Sequence, residues 1–306
     1  SKYGYVVCID LGYQELSVLS MSINGQKLDS RHTIFGNDDI NIAIEKIYEI
    51  LVEFQEMHKE RLLGLLVSIH GIVHKNQVIY SPFWNMKQID LADTLSKKFD
   101  IPVILENEAN LTATFERDYR VNEIQNAVSI SMHKGIGAGI IIDGELYRGR
   151  KGEAGEIGQT VAFESENQSL EKSNKIEDVC SPQVILVRIK NAKKLEYINW
   201  QLVRQMFDDK DQETLEILKE FENNVAKIIN NVIVSFDPDV LVVNAYIFKE
   251  FPEILERISN GFAHVSVRNT PIILSENVKN ASLYGGCAQM IRTILGVSKL
   301  KLQYKK

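Results

Sequence analysis

The sequence I-P-V-I-L-E-N-E-A-N, residues 101–110, places two carboxylates and two carboxamides directly after a short apolar run. The apolar run is typical of a buried β-strand, and the polar residues that follow it are typical of the start of a helix. In open α/β sheets, ligands bind where the carboxyl end of a strand meets the following helix. Residues 101–110 therefore predict an α/β fold with a ligand site at Glu106–Asn110.

The chemistry of Glu106–Asn110 suits a polyol, because carboxylates accept hydrogen bonds and carboxamides both donate and accept them. The carboxylate of Glu108 is also a possible general base for a hydroxyl proton. An enzyme would need Glu108 as that base, whereas a sensor would need it only to bind hydroxyl groups.

Composition limits the classes of protein to which the chain can belong. Its 306 residues suggest two domains, and a hydrophobic content of 44% with 25% charged residues is typical of a soluble globular protein. The net charge of −6 and the lack of a strongly basic stripe argue against nucleic-acid binding by this chain. The densest basic run, residues 190–194, is expected to coat a helix.

The cysteines predict reduced thiols in a cytoplasmic protein rather than a disulfide framework. Cys8, Cys180 and Cys287 are widely spaced and form no C-x-x-C motif. No apolar run reaches the roughly 18 residues of a membrane span, so no membrane partner is expected. Because the first residue is Ser rather than Met, we expect the chain to be cut from a longer protein.

Hydrophobic periodicity predicts the order of elements in both halves of the chain. In the first half, strands are expected at residues 5–10, 16–23, 27–34 and 63–69, and helices at 41–59 and 91–99. In the second half, strands are expected at residues 127–132, 138–142, 145–148, 240–243 and 272–274, and helices at 215–232 and 283–295. The polar stretch 163–174 is expected to be a mobile loop.

Strand, hairpin and helix recur in both halves, which predicts two α/β lobes with mixed sheets and a cleft between them. The N-terminal lobe is expected to span residues 1–115 and to be completed by the C-terminal helix 283–306. The C-terminal lobe is expected to span residues 116–282.

Four segments of the chain resemble the ROK family of repressors, open reading frames and sugar kinases. The most specific, residues 143–159, reads D-G-E-L-Y-R-G-R-K-G-E-A-G-E-I-G-Q and is similar to the family's hairpin followed by G-x-A-G-E-I-G-H. Residues 10–12 and 135–139 resemble its two phosphate loops, and residues 106–110 resemble its E-N-D-A-N motif. The resemblance covers nearly the whole chain. It implies the fold of the actin-like (ribonuclease H-like) sugar kinases, in which two lobes are hinged around a central cleft that holds a sugar.

The resemblance also implies a sugar site made of backbone, carboxylate and carboxamide groups. By position, Asn107, Glu108 and Glu156 would bind sugar hydroxyls, and Gly71 would pack its backbone close to the sugar. Glu177 matches the end of the family's zinc loop and would supply another carboxylate, while Gln159 would donate to a hydroxyl. The implied site is Gly71, Asn107, Glu108, Glu156, Gln159 and Glu177.

Glu108 stands where the family kinases have an Asp as base. The extra methylene moves the carboxylate by roughly an ångström or more, and such a displacement can reduce the rate ~10²-fold. A Glu still binds a hydroxyl, so sensing would survive where catalysis suffers. This form of the motif is similar to that of the repressor branch that responds to xylose.

Both implied phosphate loops depart from the kinase pattern. Phosphoryl transfer from a nucleotide needs small residues, because backbone N–H donors must come close to the phosphates. Here Tyr13 and Gln14 follow Gly12 in the first loop, and His133-Lys134 stands in the second loop. The Gly-Gly pair that the kinases have after a strand late in the chain is Asn244-Ala245 here. These losses argue against a nucleotide cofactor.

The family's zinc ligands are missing from the sequence. Gln159 replaces the His, and the loop that follows contains no cysteine. A lone Cys180 does not make a tetrahedral site, so no metal is expected. His70 and His74 flank a turn and are not expected to form a metal pair. Phe83 replaces an Asn of the family and is expected either to stack on a sugar ring or to pack in the core.

The leading hypothesis is the effector-binding and dimerisation part of a ROK transcriptional repressor, in which a sugar shifts a pre-existing equilibrium and lowers operator affinity. DNA would be bound only through an N-terminal winged helix-turn-helix absent from this chain, and a homodimer would match a palindromic operator. Glu108, Glu156 and Glu177 repel anions, which favours a neutral pentose or hexose. The alternatives are an ATP-dependent sugar kinase with Glu108 as an atypical base, and a sugar-binding scaffold with neither activity.

Overall fold

A computed structural model describes residues 3–36, 39–86, 89–119, 124–162, 174–262, 267 and 269–297. The predicted mobile loop at 163–174 lies outside the described residues except for its last position. Among the helices of the described residues, none is long and apolar enough to cross a membrane.

The chain divides into two compact units. The first comprises Ser1–Glu123, Gly144–Ala154 and Asn280–Lys306, and the second comprises Ile124–Asp143 and Gly155–Lys279. The main difference from the predicted lobe boundaries is the segment Gly144–Ala154, which belongs to the first unit. Its Arg148 binds Glu106 of that unit, which gives the physical reason.

The first unit is built on a five-stranded mixed sheet of order β3-β2-β1-β4-β7. In it, β1, β4 and β7 are parallel, and β2 and β3 are antiparallel to their neighbours. The elements of this unit are β1 (Tyr5–Leu11), β2 (Glu15–Ser22), β3 (Lys27–Ile34), α1 (Ile40–Met57), β4 (Leu62–Ile69), β5 (Ile72–His74), β6 (Gln77–Tyr80), α2 (Leu91–Phe99), β7 (Val103–Asn107), α3 (Glu108–Tyr119), β10 (Glu145–Tyr147) and α10 (Ala281–Leu295). The predicted strands and helices of this half are confirmed to within two residues at each end.

Both faces of this sheet are covered, and β1 shows why. Its residues are buried almost throughout, as expected for the central strand of a sheet that is covered on both faces. Because side chains alternate along a strand, Val7 and Ile9 join one hydrophobic cluster, with residues of α1 and α2. Val6 and Cys8 join the other cluster, with residues of α3 and α10.

Two adjacent glycines let α10 pack directly on its neighbours. A Cβ on Gly285 would lie 1.9 Å from the carbonyl oxygen of Leu111 in α3, and one on Gly286 would lie 2.3 Å from the sulfur of Cys8 in β1. Any other residue at these positions would separate the helix from α3 and from the sheet. The position of α3, and with it the start of that helix at Glu108, therefore depends on the C-terminal helix.

The second unit contains a mixed sheet in which strands run in the order β9-β8-β11-β12, with β8, β11 and β12 parallel and β9 antiparallel. Its elements are β8 (Ala127–Met132), β9 (Ile136–Ile142), a 3-10 turn (Ile157–Gln159), α4 (Ile176–Cys180), α5 (Pro182–Ala192), α6 (Trp200–Asp208), α7 (Gln212–Phe236), β11 (Val240–Asn244), α8 (Ile247–Glu250), α9 (Pro252–Asn260) and β12 (Ile272–Leu274). The predicted long helix is α7, which is several residues longer than its apolar stripe. The basic run 190–194 was expected to coat a helix, and its residues 190–192 form the end of α5. The bounds of α5 and the helices α4, α6, α8 and α9 were not predicted.

Candidate functional site

The carboxyl ends of three parallel strands meet in the first unit and carry polar side chains. In the register of the sheet, Asp10 of β1 pairs with Ser68 of β4, and Ser68 pairs with Glu106 of β7. Asn107 ends β7 and Glu108 begins α3 with no intervening loop. The predicted strand-to-helix junction is therefore confirmed, at the edge of the sheet where α/β folds bind ligands.

Glu106 is a structural carboxylate whose two oxygens are both used within the unit. Oε1 accepts from the backbone N–H of Asn107 at 3.0 Å and from Nδ2 of Asn110 at 2.9 Å. Oε2 accepts from Arg148, whose Nε and Nη2 lie 2.8 and 2.7 Å away. Because Glu106 is buried and these donors compensate its charge, it fixes the first turn of α3 rather than facing a ligand.

Asn107 joins the ends of β4 and β7. Its Nδ2 donates to the carbonyl oxygen of Gly71 at 2.7 Å, and its Oδ1 accepts from the backbone N–H of Asn110 at 3.1 Å. The second bond is an N-terminal cap on α3. A carboxamide has two N–H donors and two acceptor lone pairs, so with respect to the described residues one donor and one lone pair of Asn107 remain for a hydroxyl.

Gly71 is required by packing inside the first unit. Its φ of +137° is a conformation that L side chains rarely adopt, and an added Cβ would lie 2.1 Å from the carbonyl oxygen of Tyr80. The close approach that the resemblance assigned to a sugar is thus already made to the β5–β6 hairpin. Contact between Gly71 and a sugar stays a prediction.

Glu108 is a buried carboxylate at the first position of α3. Its Oε1 accepts from the hydroxyl of Thr112 at 2.9 Å, one helical turn away. The N-terminus of a helix carries a partial positive charge that stabilises a carboxylate. These interactions fix the orientation of the Glu108 carboxylate, which can accept a hydrogen bond from a hydroxyl group of a ligand.

Asp10, in the first implied phosphate loop, is surrounded by donors of its own unit. Its Oδ2 accepts from Ser68 at 2.8 Å and from Ser282 at 2.9 Å, and Nε2 of His70 lies 2.9 Å from Oδ1. Burial alone would raise the pKa of Asp10, but the charge of His70 and these hydrogen bonds outweigh it and lower the pKa. The sequence alone had not indicated an Asp10–His70 pair.

An aromatic cluster lies beside Asp10. The ring of Phe83 is 5.6 Å from that of Tyr13 and 5.5 Å from that of His70, measured between centroids. Tyr13 and Phe83 are positions at which the chain departs from the family pattern, and the structure brings them into contact. Phe83 is only partly buried and Tyr13 is 42% exposed, so stacking on a sugar ring and packing in the core both stay predictions for Phe83.

In the second unit, the glycine-rich segment after β10 is held by backbone contacts. A Cβ on Gly155 would lie 1.8 Å from the carbonyl oxygen of Ala138, and one on Gly158 would lie 2.3 Å from that of Ile136. Ala138 also donates its backbone N–H to the carbonyl oxygen of Gly155 at 2.8 Å. Glu156, half-buried, lies between the two glycines and is therefore fixed against β9.

Glu177 bridges the 3-10 turn and the second implied phosphate loop. Its Oε1 accepts from Nε2 of Gln159, and its Oε2 lies 3.5 Å from the backbone nitrogen of Ile136, which donates to it. A Cβ on Gly135 or on Gly158 would lie 3.0 Å from Oε2, so both glycines leave room for the carboxylate. Gln159 thus has a side-chain partner in Glu177, which sequence reasoning did not anticipate.

The residues present do not fit the zinc site that the family resemblance implies. Residues 160–179 contain no cysteine or histidine, and Cys180 is fully buried, which raises the pKa of its thiol to about 12. Within the described part of the chain, no group of three or more His, Cys, Asp or Glu side chains could hold a metal ion.

Protein contacts join the two ends of the segment that matches the family's zinc loop. Val161 pairs with Lys175 in an antiparallel bridge, and flanking backbone bonds run from Ala162 to Asn174 at 2.8 Å and from Ile176 to Thr160 at 2.9 Å. The side-chain bond between Gln159 and Glu177 lies next to this bridge. These contacts join the two ends of the segment, which a bound zinc ion would otherwise do.

The predicted site residues fall into two sets, one in each unit. Gly71 and Asn107 are bonded to each other, and Glu108 follows directly. In the second unit, Gln159 and Glu177 are bonded, and Glu156 begins the same turn. Their role as sugar ligands stays a prediction.

A family model of the ROK family matches residues 6–292. The chain therefore belongs to the ROK family, as the motifs predicted. A protein named xylose repressor from Lactiplantibacillus pentosus is 35% identical over 308 residues, which cover 100% of this chain and 79% of the relative. A second xylose repressor, from Staphylococcus xylosus, is 34% identical and covers 99% of this chain and 80% of the relative.

Solved structures of regulators and kinases share the fold. A ROK family transcriptional regulator, a homologue of the E. coli MLC protein, has a TM-score of 0.80 at 21% identity, covering 97% of this chain and 80% of that one. A ROK family glucokinase from Streptomyces griseus, in complex with glucose and AMPPNP, has a TM-score of 0.79 at 18% identity, covering 95% of this chain and 100% of that one. The predicted fold class, that of the actin-like sugar kinases, is confirmed.

Proposed function

We propose that this chain is the sugar-sensing, effector-binding part of a ROK-family transcriptional repressor, and that xylose is the first effector to test. The relatives named xylose repressor support this, because they match essentially the whole chain at about a third identity. In the proposal, the sugar binds one of two pre-existing conformations better and thereby lowers the affinity of the repressor for its operator.

The observation that carries the proposal is the state of Asp10. A phosphoryl donor with Mg²⁺ needs carboxylate oxygens and backbone N–H groups that are open to it. Both oxygens of Asp10 already accept hydrogen bonds from the protein, and the rings of Tyr13, His70 and Phe83 pack beside the loop. This arrangement favours sugar binding without phosphoryl transfer.

The chemistry of the predicted ligands favours a neutral sugar. Glu108, Glu156 and Glu177 supply acceptors, and Asn107 keeps one free donor and one free lone pair. Carboxylates close to a phosphorylated sugar would repel it. A comparison of pentoses with hexoses in a binding screen decides between the two classes of neutral sugar.

A thermal-shift screen of the chain with xylose, arabinose, glucose and mannose tests the proposal. A ligand at 100 times its Kd stabilises the folded state by about 2.7 kcal/mol, which raises the melting temperature measurably. We expect a saturable rise for at least one neutral sugar and its loss in Glu156→Ala. If none of these four neutral sugars shifts the melting temperature of the wild-type chain, the proposal fails.

A sugar kinase is the second candidate, because ROK kinases share the fold and Glu108 offers a buried carboxylate at the start of α3. A coupled assay with ATP, Mg²⁺ and the same sugars separates the two functions. The repressor proposal predicts no turnover above background. Turnover that disappears in Glu108→Ala would assign the kinase function instead.

We further propose that the repressor acts as a homodimer and that operator DNA is bound by a domain outside this chain. The net charge of −6 disfavours DNA binding by the chain itself. Light scattering tests the dimer directly. Comparing operator binding of the full repressor with and without the effector sugar tests the coupling, since equal affinity in both conditions would contradict it.

A further inference from the structure

A cavity of about 280 Å³ lies within the first unit, apart from the predicted sugar residues of that unit. It is lined by residues of α3, of α10 and of the segment Gly144–Ala154. Among them are Arg117, Arg148, Gln289, Arg292 and Thr293. Three guanidinium groups around one small cavity are the residues that bind carboxylates and phosphates. We propose that this cavity is a second ligand site, specific for a small oxyanion.

The sharing of one buried carboxylate is the first argument. Asp118 is fully buried and accepts from two guanidinium groups, Nε of Arg117 at 2.9 Å and Nη1 of Arg292. The side chain of Arg292 is only 5% exposed. A buried guanidinium that shares its carboxylate is stabilised by a second acceptor, which an anion in the cavity would supply.

Unused hydrogen-bond donors are the second argument. A guanidinium has five N–H donors. Within the described part of the chain, Arg292 uses Nη1 towards Asp118, and Arg117 uses Nε towards Asp118 and Nη1 towards the carbonyl oxygen of Gly144 at 3.0 Å. The donors that remain on these two side chains, both of which line the cavity, match the oxygens of a phosphate or carboxylate.

The remaining wall limits the charge of the ligand. Arg148 is already paired with Glu106, and Glu145, an exposed residue, also lines the cavity. The three guanidinium groups are matched in number by the carboxylates of Asp118, Glu106 and Glu145, so their formal charges sum to zero, which favours an anion of low charge. A volume of about 280 Å³ is at the lower end of ligand pockets and suits inorganic phosphate or a short carboxylate rather than a nucleotide.

The inference is independent of the proposed sugar function, although the two sites share an element. Arg148 lines the cavity and also holds Glu106, which fixes the first turn of α3. An anion that contacts Arg148 is therefore linked to the position of that turn through one side chain.

Thermal-shift titrations of the whole chain test the second site, with inorganic phosphate in one series and malonate in the other, each against KCl at equal ionic strength. We expect a saturable rise in melting temperature in one or both series, and their comparison distinguishes a phosphate ligand from a carboxylate. Gln289→Glu adds a negative charge to the lining at unchanged size and leaves Asp118 and its two arginines intact. It should weaken the binding at least tenfold.

Gln201→Glu, the same change on the exposed face of α6 in the second unit, is the matched control and should titrate like the wild type. Thr293→Glu, at an exposed position of the lining, serves if Gln289→Glu does not fold. No shift beyond that of KCl in either series, or equal shifts in wild type and in the lining variant, would overturn the proposal and leave Asp118 as a purely structural ion network.

Discussion

The side-chain amide of Asn107 donates to the carbonyl oxygen of Gly71 at 2.7 Å, so that two of the predicted sugar-site residues hold each other in place. The same side chain caps α3 through the backbone N–H of Asn110. Asn107 therefore contributes both to the predicted sugar site and to the stability of the first unit, so a variant at this position has to be measured for sugar affinity and for stability.

Asn107→Ala removes the cap and the bond to Gly71 together. We expect the free energy of unfolding to fall by about 2 kcal/mol, from roughly 1 kcal/mol for each lost interaction. Asn107→Asp keeps the acceptor for the cap but places a carboxylate oxygen against the carbonyl oxygen of Gly71, so its free energy of unfolding should also fall below that of the wild type. Urea denaturation of both variants measures the difference. Equal stability of Asn107→Ala and wild type would contradict the geometry described here.

Gly71→Ala should destabilise the first unit strongly. The added methyl group would lie 2.1 Å from the carbonyl oxygen of Tyr80, at a φ of +137°. Gly36→Ala is the matched control, because Gly36 also has a positive φ, +61°, and no atom of the described residues beyond its chain neighbours lies within 4 Å of an added Cβ. We expect a loss of roughly 1–2 kcal/mol for Gly36→Ala and a larger loss for Gly71→Ala. Similar melting temperatures for the two variants would show that the hairpin yields to the methyl group.

Asp10→Asn tests the buried carboxylate through acid denaturation. The folded-state pKa of Asp10 is lowered below its ordinary value of 3.8. Its ionised form therefore contributes stability that is fully present above about pH 4 and is lost as the pH falls through the lower, folded-state pKa. Asp10→Asn should be less stable at pH 7, and its free energy of unfolding should fall less steeply below pH 4.

Asp93→Asn, at an exposed carboxylate of α2, is the control for this pH series and should follow the wild type. Denaturant midpoints measured at several pH values between 2.5 and 7 provide the comparison. An unchanged slope in Asp10→Asn would mean that other groups carry the acid sensitivity.

Gln159→Ala should weaken sugar binding through Glu177. It removes the side-chain donor to Oε1 of Glu177 and leaves the backbone bridge between Val161 and Lys175 in place. We expect the Kd for the effector sugar to rise about three- to tenfold, as for the loss of one partly exposed hydrogen bond to a charged group. Calorimetric titration gives the Kd, and Gln201→Ala controls for the loss of a surface Gln.

Because protein contacts join the ends of the same segment, we expect its stability not to depend on zinc. A chelator such as EDTA should leave both the melting temperature and the sugar affinity of the wild-type chain unchanged, because Gln159, Glu177 and backbone bonds hold the loop ends. A fall in melting temperature on chelation, reversed by added Zn²⁺, would contradict this.

Local patterns predicted the elements with strong periodicity. The strand β8, the strand β12 and the helix α2 have the predicted bounds, because alternation and flanking turn residues mark their ends. The start of α5 and the whole of α6 were missed, although Ser181-Pro182 and Asn199 are capping signals and the side chains of Ser181 and Asn199 do cap these helices. Attention to such caps would have recovered them.

The partners of the site residues were beyond local patterns. Ser282 binds Asp10 across 272 positions of sequence, and Arg148 binds Glu106 across 42. Tyr13 and Phe83 were noted one at a time as departures from the family, yet their contact appears only in the fold. Sequence identified the residues at the junction of β7 and α3, whereas long-range packing determined which of their hydrogen-bonding groups remain available.

The place of α10 at the end of the chain has a consequence for synthesis. This helix supplies Leu283, Cys287 and Met290 to a cluster that includes Val6 and Cys8 of the first strand. That face of the first sheet is therefore covered only in part, by α3, until α10 has been synthesised, whereas the second unit, within Ile124–Lys279, is complete earlier. We expect nascent chains to depend on chaperones during that interval, since exposed apolar strands aggregate. The last unit to become stable would then be the one whose synthesis starts first.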